Sequence, residues 1–260
     1  MAVSMEHLRL VRQEFTHQAE RFAASAAVAD GELTNRLIAA IGPNATGLIL
    51  DVACGPGIVS AALAVNAREV VAFDLTPEML KKARQRCRQA GLANVAFSEG
   101  SGNALPFPDG CFDAVVTRLS IHHFDKPAMA MAEMLRVLRR GGTVVVADVV
   151  SQEDPEKSSL QNAIERLRDP SHVRMLPASE LAALVETAGC RIESQDTWDK
   201  PRGFEEWIGI VDNPERVEPL RPVLRALARA GEDAGMGLAL AGDEIVFFHQ
   251  WHLIAGQKPM

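Results

Sequence analysis

The stretch LILDVACGPGIVS, residues 48–60, has the residue types and spacing of a ligand-binding turn. An apolar run ends at Asp51, and the chain then passes through Gly55 and Gly57 into residues with helical spacing. Glycines let backbone N–H groups approach a ligand that a side chain would block. Asp74 ends the next apolar run, roughly 20 residues past the turn, where an acid can bind both hydroxyls of a ribose. The pattern predicts a site for a nucleoside-containing cofactor.

Two classes of cofactor would use such a turn. The dinucleotide pattern G-x-G-x-x-G lacks its third glycine here, because Ser60 stands in that position. A carboxylate at Asp51 would repel a pyrophosphate but would attract the ammonium and sulfonium charges of S-adenosylmethionine. The charges therefore favour S-adenosylmethionine, and an NAD-dependent oxidoreductase is the alternative.

These residues need a scaffold of alternating strands and helices to bring them together. Short apolar runs predict five strands, which are Leu48–Asp51, Val70–Phe73, Val95–Phe97, Phe112–Thr117 and Thr143–Val149. Helical patterns and short turns separate them, including a helix from about Pro127 to Leu138 that is closed by Gly141 and Gly142. The alternation predicts an α/β fold, with a Rossmann-like, doubly wound and mostly parallel sheet.

The last third of the sequence predicts a different connection. Strands at Arg191–Trp198 and Ile245–Ala255 are separated by a helical insert rather than by a strand-helix-strand crossover. We therefore expect an antiparallel C-terminal edge hairpin. We expect one domain over residues 1–260, with a helical N-terminal arm (1–44), a cofactor-binding core (45–150), and substrate-side helices with the edge strands (151–260).

Ligands of open parallel sheets bind beyond the carboxyl ends of the strands. The turn after Asp51, the end of the second strand at Asp74, and the loops at 100–103 and 118–123 all lie at such ends. We therefore expect these segments to converge on a single pocket.

The ordered motifs resemble class I S-adenosylmethionine-dependent methyltransferases. They are D-x-x-C-G-x-G, V-x-F-D-L-T-P-x-M-L, L-P-F-P-D-x-x-F-D, H-H-F-D-K-P and R-V-L-R-x-G-G. Within that superfamily the chain is similar to the branch of the ubiquinone and menaquinone biosynthetic methyltransferases. The resemblance implies S-adenosyl-L-methionine as the cofactor and a methyl transfer as the reaction.

The resemblance also implies the cofactor-binding residues. The methionine and ribose parts would be cradled by Asp51, Ala53, Gly55 and Gly57. Asp74 would bind the ribose hydroxyls, Leu75 would pack on adenine, and the backbone of Arg118 would face the methionine amino group. Relatives usually carry an Asp four residues before the Leu of L-P-F; here Ser101 stands there, and its hydroxyl can accept the same hydrogen bond without charge assistance. Gly102 would offer the neighbouring N–H.

Methyl transfer needs a catalytic base only when the acceptor must lose a proton. His122 and His123 follow the fourth strand, and His172 lies in a loop placed to overhang the site. A neutral imidazole there could accept a proton from a phenol, a thiol or an activated carbon. The alternatives are helix capping or wall packing for the first two and a surface turn for the third. Asp148 either faces the substrate or is a buried polar strand end.

The N-terminal segment carries Phe15, Ala19, Phe22 and Ala26 at helical spacing. The spacing predicts a helix packed on the core, and the resemblance implies that it is also a lid over the cofactor and acceptor.

The composition of the chain limits the classes of partner that we expect it to bind. A net charge of -7 disfavours nucleic acid as the main partner, and no apolar run reaches the length of a membrane span. Four scattered cysteines lack metal-ligand spacing and fit reduced thiols in a cytoplasmic protein. No metal site is expected, because His249 and His252 would face opposite sides of a strand.

Taken together, the sequence predicts a cytoplasmic S-adenosylmethionine-dependent methyltransferase that acts on a small, partly apolar molecule by in-line transfer. The residues leave open whether oxygen, carbon, nitrogen or sulfur is methylated. A non-catalytic S-adenosylmethionine-binding module is the second alternative, since Ser101 departs from the usual adenine contact.

Overall fold

The strands of the protein form one mixed sheet. The computed structural model describes residues 3–26 and 28–260, and within them the sheet has eight strands. The strands are β1 (Leu48–Val52), β2 (Glu69–Asp74), β3 (Val95–Glu99), β4 (Phe112–Arg118), β5 (Leu138–Val150), β6 (Arg191–Gly203), β7 (Ala239–Ala241) and β8 (Glu244–Gln257).

The sheet order is β3-β2-β1-β4-β5-β8-β6, with β7 paired to β8. The first five strands are parallel to one another, whereas β8 is antiparallel to both β5 and β6. The order reverses between β1 and β4, so the ends of those strands open a crevice at a topological switch point. The predicted doubly wound sheet with an antiparallel C-terminal edge is confirmed.

Helices cover both faces of the sheet. They are α1 (Met5–His17), α2 (Ala19–Ala24), α3 (Gly31–Ile41), α4 (Ile58–Ala64), α5 (Pro77–Gln89), α6 (Pro127–Val137), α7 (Pro155–Arg168), α8 (Ala178–Thr187), α9 (Phe204–Gly209), α10 (Pro214–Val217) and α11 (Leu220–Arg229). None of them in residues 3–26 and 28–260 is long and apolar enough to cross a membrane.

The core has two layers because alternate residues of each strand point to opposite faces. Val144 and Val146 of β5 pack with α6 and α8, while Val145 between them packs with α3 and α4. Both faces are therefore buried, which is why the parallel strands are continuous apolar runs in the sequence. The C-terminal insert has its own apolar cluster, centred on Trp207 and Phe247.

The fifth strand is longer than predicted. Helix α6 ends at Val137 and β5 begins at Leu138, five residues before the predicted start at Thr143. Leu138 is fully buried and pairs with Phe112, and the register then shifts before Thr143 pairs with Ala114. Burial of Leu138 beside β4 thus extends the strand to residues before the turn at Gly141. From the two glycines alone, the sequence predicts that the strand begins after this turn.

The N-terminal prediction of one helix is wrong in part. The chain forms two helices, α1 and α2, which are separated at Gln18, and Ala26 lies beyond the end of α2. The break lets Phe15 and Phe22 meet edge to face with their ring centroids 5.7 Å apart. A partly buried ion pair between Glu14 and Arg216 anchors α1 on the C-terminal insert. The two helices lie across the carboxyl ends of the strands.

Candidate active site

The turn after β1 is built by left-handed backbone and a buried acid. Ala53, Gly55 and Gly57 have φ angles of 55°, 53° and 75°. A Cβ at Gly57 would lie 2.7 Å from the Ala83 side chain, so this glycine allows α4 to pack on α5. Asp51 is 1% exposed and accepts a hydrogen bond from Ser60 Oγ. The turn therefore presents backbone and one carboxylate to the crevice.

Asp74 ties the ends of β1 and β2 together. One carboxylate oxygen accepts from the Gly55 N–H and the other from the Thr76 N–H, both at 2.8 Å. Each oxygen keeps a second lone pair that can accept a hydrogen bond from a ligand. The backbone bonds hold the carboxylate in one orientation before any ligand arrives.

Burial raises the pKa values of both Asp51 and Asp74. It raises the pKa of Asp51 to about 7, helped by the nearby charge of Asp74 and opposed by the Ser60 hydrogen bond and the charge of Arg118. Burial also raises the pKa of Asp74 to about 6, against the hydrogen bonds from Thr76 and Gly55. Each carboxylate would be stabilised in its charged form by a ligand that donates hydrogen bonds or carries positive charge.

Arg118 lies beside Asp51 and is only partly satisfied. Its Nη2 donates to the Val28 carbonyl oxygen at 2.8 Å, whereas its buried Nη1 has no hydrogen-bond partner. Burial lowers the pKa of the guanidinium, although the charge of Asp51 opposes this. A carboxylate and a guanidinium side by side are complementary to the ammonium and carboxylate of an amino acid.

The loop after β3 supplies an unexpected amide. Ser101 Oγ accepts from the Asn103 N–H at 3.3 Å, so the hydroxyl is partly used within its own loop. Asn103 is 5% exposed, and neither its side-chain nitrogen nor its oxygen has a partner. A Cβ at Gly102 would lie 2.9 Å from the Phe124 ring, which explains the glycine there. The amide offers N–H donors on its nitrogen and an acceptor on its oxygen, which match the edge of adenine.

These segments line the first cavity, which encloses about 920 Å³, part of it open to solvent. That volume suits a ligand of the size of a nucleoside cofactor. Among the predicted cofactor residues, all but Gly57 lie in its wall, namely Asp51, Ala53, Gly55, Asp74, Leu75, Ser101, Gly102 and Arg118. Helix α1 closes one side with His7, Leu8 and Val11.

A second cavity of about 690 Å³ adjoins the first. Phe15, Phe22, Leu119 and His123 line both of them. The other apolar residues of the second cavity's wall are Val28, Val149, Met175, Ile210 and Trp251. Its polar side includes His122 and His172 together with Glu165, Arg168 and Asp169.

His122 and Asp148 form a buried dyad at the second cavity. The distance from His122 Nδ1 to Asp148 Oδ1 is 2.6 Å. Asp148 Oδ2 also accepts from the N–H groups of Ser120 and Ile121 at 3.2 and 2.7 Å. Burial by itself would lower the pKa of His122, but the Asp148 carboxylate raises it above its ordinary value. The dyad has the arrangement by which a carboxylate orients an imidazole base.

The other two candidate bases, His123 and His172, have lowered pKa values. His123 Nδ1 lies 3.0 Å from the Ser171 carbonyl oxygen and His172 Nε2 lies 2.9 Å from Asn162 Oδ1, so each donates an N–H. Burial and the charge of His122 lower the pKa of His123 to about 4 and that of His172 to about 3. Both rings are therefore neutral and weakly basic. In the described part of the chain, no group of three or more His, Cys, Asp or Glu is placed to hold a metal ion.

Comparisons with known proteins place this chain in a family. A family model described as a methyltransferase domain matches residues 50–146. The uncharacterized methyltransferase YcgJ of Bacillus subtilis is 30% identical over 220 residues, which are 85% of this chain and 86% of that protein. The chain belongs to the class I S-adenosylmethionine-dependent methyltransferases.

A solved structure and a second sequence relative agree with this assignment. The crystal structure of a methyltransferase from Bacillus halodurans has a TM-score of 0.82 at 28% identity and covers 88% of this chain and 100% of its own. A demethylmenaquinone methyltransferase of Clavibacter sepedonicus is 31% identical over 169 residues, which are 65% of this chain and 66% of that protein. The predicted resemblance to class I methyltransferases is confirmed.

The methyltransferase has cavity residues that the sequence reasoning missed. Asn103 lies two residues from the predicted Ser101, and its amide was not recognised because no pattern marked it. Gln18, Glu165, Arg168 and Trp251 reach the second cavity from elements far apart in the chain. Only the fold brings them together.

The unpaired groups of the first cavity fit S-adenosylmethionine. The Asp51 and Arg118 side chains are complementary to the charges of its amino-acid end, and Asp74 offers free lone pairs to a ribose. Neither the nitrogen nor the oxygen of the Asn103 amide has a hydrogen-bond partner. An adenine edge would supply a partner for each.

Proposed function

We propose that this methyltransferase methylates a small, partly apolar molecule that binds in the second cavity. The observation that carries the proposal is the contact between the two cavities at Phe15, Phe22, Leu119 and His123. A cofactor in the first cavity and an acceptor in the second would meet at these residues. Holding two reactants in line is the main requirement for this reaction and can supply about 7–11 kcal/mol.

The proposed roles in the first cavity follow the free lone pairs and donors. Asp51 attracts the ammonium group and Arg118 Nη1 binds the carboxylate, while Asp74 accepts from the ribose hydroxyls. Leu75, Gly102 and the Ser101–Asn103 loop would surround adenine. When bound, S-adenosylmethionine supplies an electrophilic methyl group, and the protein excludes water and orients the acceptor.

The dinucleotide alternative has less support. Ser60 is fully buried at the position of the third glycine, and its hydroxyl bonds to Asp51. A pyrophosphate at this turn would face a buried carboxylate at close range.

We further propose that the protein works in the cytoplasm and that its acceptor is not a nucleic acid. The cysteines Cys54, Cys87, Cys111 and Cys190 are all free, which suits a reducing compartment. The net charge of -7 opposes binding to a polyanion.

Thermal unfolding tests the cofactor part of this proposal. S-adenosylmethionine, S-adenosylhomocysteine and NAD would be added separately, each at about a hundred times its dissociation constant. Binding at that excess stabilises by about 2.7 kcal/mol and moves the midpoint by roughly 2–4 °C in a chain of this size. A shift with both adenosyl compounds and none with NAD is expected. A shift with NAD alone would refute the assignment.

Adenine recognition gives a prediction that separates two neighbouring residues. Asn103→Leu removes both amide partners of adenine, so the affinity for S-adenosylhomocysteine should fall about tenfold, as expected for two neutral hydrogen bonds. Ser101→Ala should have a smaller effect, because the Ser101 hydroxyl already accepts from the Asn103 N–H. Calorimetric titration of both variants measures the difference. A larger loss for Ser101→Ala would make the hydroxyl the principal adenine contact.

Cofactor affinity should depend on pH. The pKa values of Asp51 and Asp74 are raised to about 7 and about 6, and the ligand binds their charged forms. Protons therefore compete with the ligand at both carboxylates, and the affinity for S-adenosylhomocysteine should fall about a hundredfold between pH 8 and pH 5.5. Adenosine, which lacks the ammonium group, should lose less affinity over the same range. Equal affinity at both pH values would contradict this account.

A further inference from the structure

Two hydrogen-bond donors in the wall of the second cavity have no partner. Gln18 and Trp251 are each 2% exposed, and both Gln18 Nε2 and Trp251 Nε1 lack hydrogen bonds. An indole nitrogen can only donate, and a buried donor without a partner destabilises the folded protein. Gln18 stands at the break between α1 and α2, so the irregular backbone there is what places an amide in this wall. A ligand with oxygen acceptors would satisfy both groups.

Three charged side chains of the same wall, Glu165, Arg168 and Arg202, have ion-pair partners, and Asp169 accepts hydrogen bonds from the N–H and the hydroxyl of Ser171. The Glu165 carboxylate accepts from Arg168, Trp207 and His249, at 2.8, 3.3 and 3.0 Å. His249 Nδ1 in turn accepts from Arg202 Nη1 at 3.0 Å, so its ring is neutral and passes no charge to the cavity. The network leaves no unbalanced anion at Glu165 for a cationic acceptor. Two buried donors of this wall, Gln18 Nε2 and Trp251 Nε1, have no hydrogen-bond partner, and both are neutral.

The dyad of His122 and Asp148 indicates a further property that the acceptor must have. Asp148 holds the Nδ1–H of His122, so the neutral ring carries its lone pair on Nε2. Nothing in the described residues hydrogen-bonds to that nitrogen, and His122 lies in the wall of the second cavity. A base held in this way serves an acceptor that must lose a proton. A tertiary amine or a thioether has no proton to give.

Resting on the proposed function, we propose that the acceptor is a flat, partly apolar molecule whose methylated group is a phenolic or enolic hydroxyl. It also carries a second oxygen acceptor, a carbonyl or a carboxylate. The hydroxyl lies against His122, and Gln18 and Trp251 donate to the second oxygen. Phe15 and Phe22 provide apolar faces for a ring of this kind.

The reaction balances without a further reactant. His122 Nε2 takes the hydroxyl proton while the acceptor oxygen forms a bond to the methyl carbon of S-adenosylmethionine. The carbon–sulfur bond breaks with its electron pair remaining on sulfur, which gives S-adenosylhomocysteine and a methyl ether. The imidazolium then returns its proton to solvent. Asp148 stabilises that imidazolium and is a positioning residue, since it acts through His122.

Matched naphthalene probes test the acceptor class. We would titrate the S-adenosylhomocysteine-bound protein with 1-hydroxy-2-naphthoate, 2-naphthoate, 1-naphthol and 1-(aminomethyl)naphthalene, using calorimetry. The hydroxy-carboxylate should bind at least tenfold more tightly than the amine. In Gln18→Met and in Trp251→Phe its affinity should fall about tenfold, as for one buried hydrogen bond to a charged group. The affinity of the amine should stay within about twofold.

Two control variants separate the donors from packing. Gln250→Met changes an amide on β8 that bonds to Asp199 outside the cavity, and Trp198→Phe changes the ring stacked on Trp251. Neither residue lines the second cavity, and neither substitution should alter probe binding. The inference is overturned if no probe binds, if the amine binds as tightly as the hydroxy-carboxylate, or if Gln18→Met and Trp251→Phe leave the affinities unchanged because water satisfies the donors.

The same samples distinguish this inference from the proposed function. If S-adenosylhomocysteine itself fails to bind in the first titration, the proposed function fails. If it binds and mass spectrometry of turnover mixtures with S-adenosylmethionine shows methylated amines or thiols but no methyl ether, the proposed function stands and the oxygen acceptor is refuted. Formation of the methyl ether from 1-hydroxy-2-naphthoate or 1-naphthol supports both.

Discussion

Turnover should fall by about 10²–10⁴-fold in His122→Asn, the usual contribution of a positioned base. The imidazole is the one ring at the second cavity whose pKa is raised by a carboxylate partner, whereas burial lowers the pKa values of His123 and His172. An asparagine retains a polar group beside Asp148 but cannot take up a proton at neutral pH. The single-turnover rate of methyl ether formation measures the effect. Affinity for S-adenosylhomocysteine should not change, since His122 does not line the first cavity.

The pH profile identifies the base. The rate should rise with pH through the raised pKa of His122, because only the unprotonated ring accepts a proton. Charged or titratable groups around the ring are Asp148, Glu165, Asp169, His123 and His172. Asp148→Asn removes the main charge that raises this pKa, so the midpoint of the profile should move to lower pH while the maximal rate falls. His172→Gln is the matched control and should lower the rate less than tenfold. A normal rate in His122→Asn would exclude the ring as the base.

Asp74→Asn should weaken binding of S-adenosylhomocysteine about a hundredfold. The carboxylate would accept from two ribose hydroxyls, and hydrogen bonds to a charged group contribute about 1.5–3 kcal/mol each. An amide replaces one acceptor oxygen by a donor, so it also loses either the Gly55 or the Thr76 backbone N–H that holds the turn. Calorimetric titration gives the loss in affinity directly.

A surface variant controls for the change in charge. Asp196→Asn alters an exposed carboxylate paired with Arg36 and should leave the affinity unchanged. Thermal unfolding of Asp74→Asn without ligand reports whether the turn still folds. If Asp74→Asn is folded and loses less than about fivefold in affinity, the ribose contact is wrong.

The sequence determined the fold and the first cavity to a large extent. Strands buried on both faces are continuous apolar runs, so β1, β2, β4 and β5 can be recognised without any knowledge of their neighbours. Their carboxyl ends must meet in a doubly wound sheet, which brings Asp51, Asp74 and the Ser101 loop to one wall. The extra length of β5 was missed because it depends on Leu138 pairing with Phe112, a contact between separate strands.

Only the tertiary structure decided the rest of the site. His122 and Asp148 are 26 residues apart in sequence, and their pairing turns one of two adjacent histidines into the stronger base. Gln18 and Trp251 come from opposite ends of the chain, and nothing in their local sequence marks them as neighbours of one cavity. The reason is physical. A strand or a glycine turn is specified by local periodicity and backbone freedom, whereas the pKa of a buried group and the partner of a buried donor depend on which distant side chains the fold places beside it.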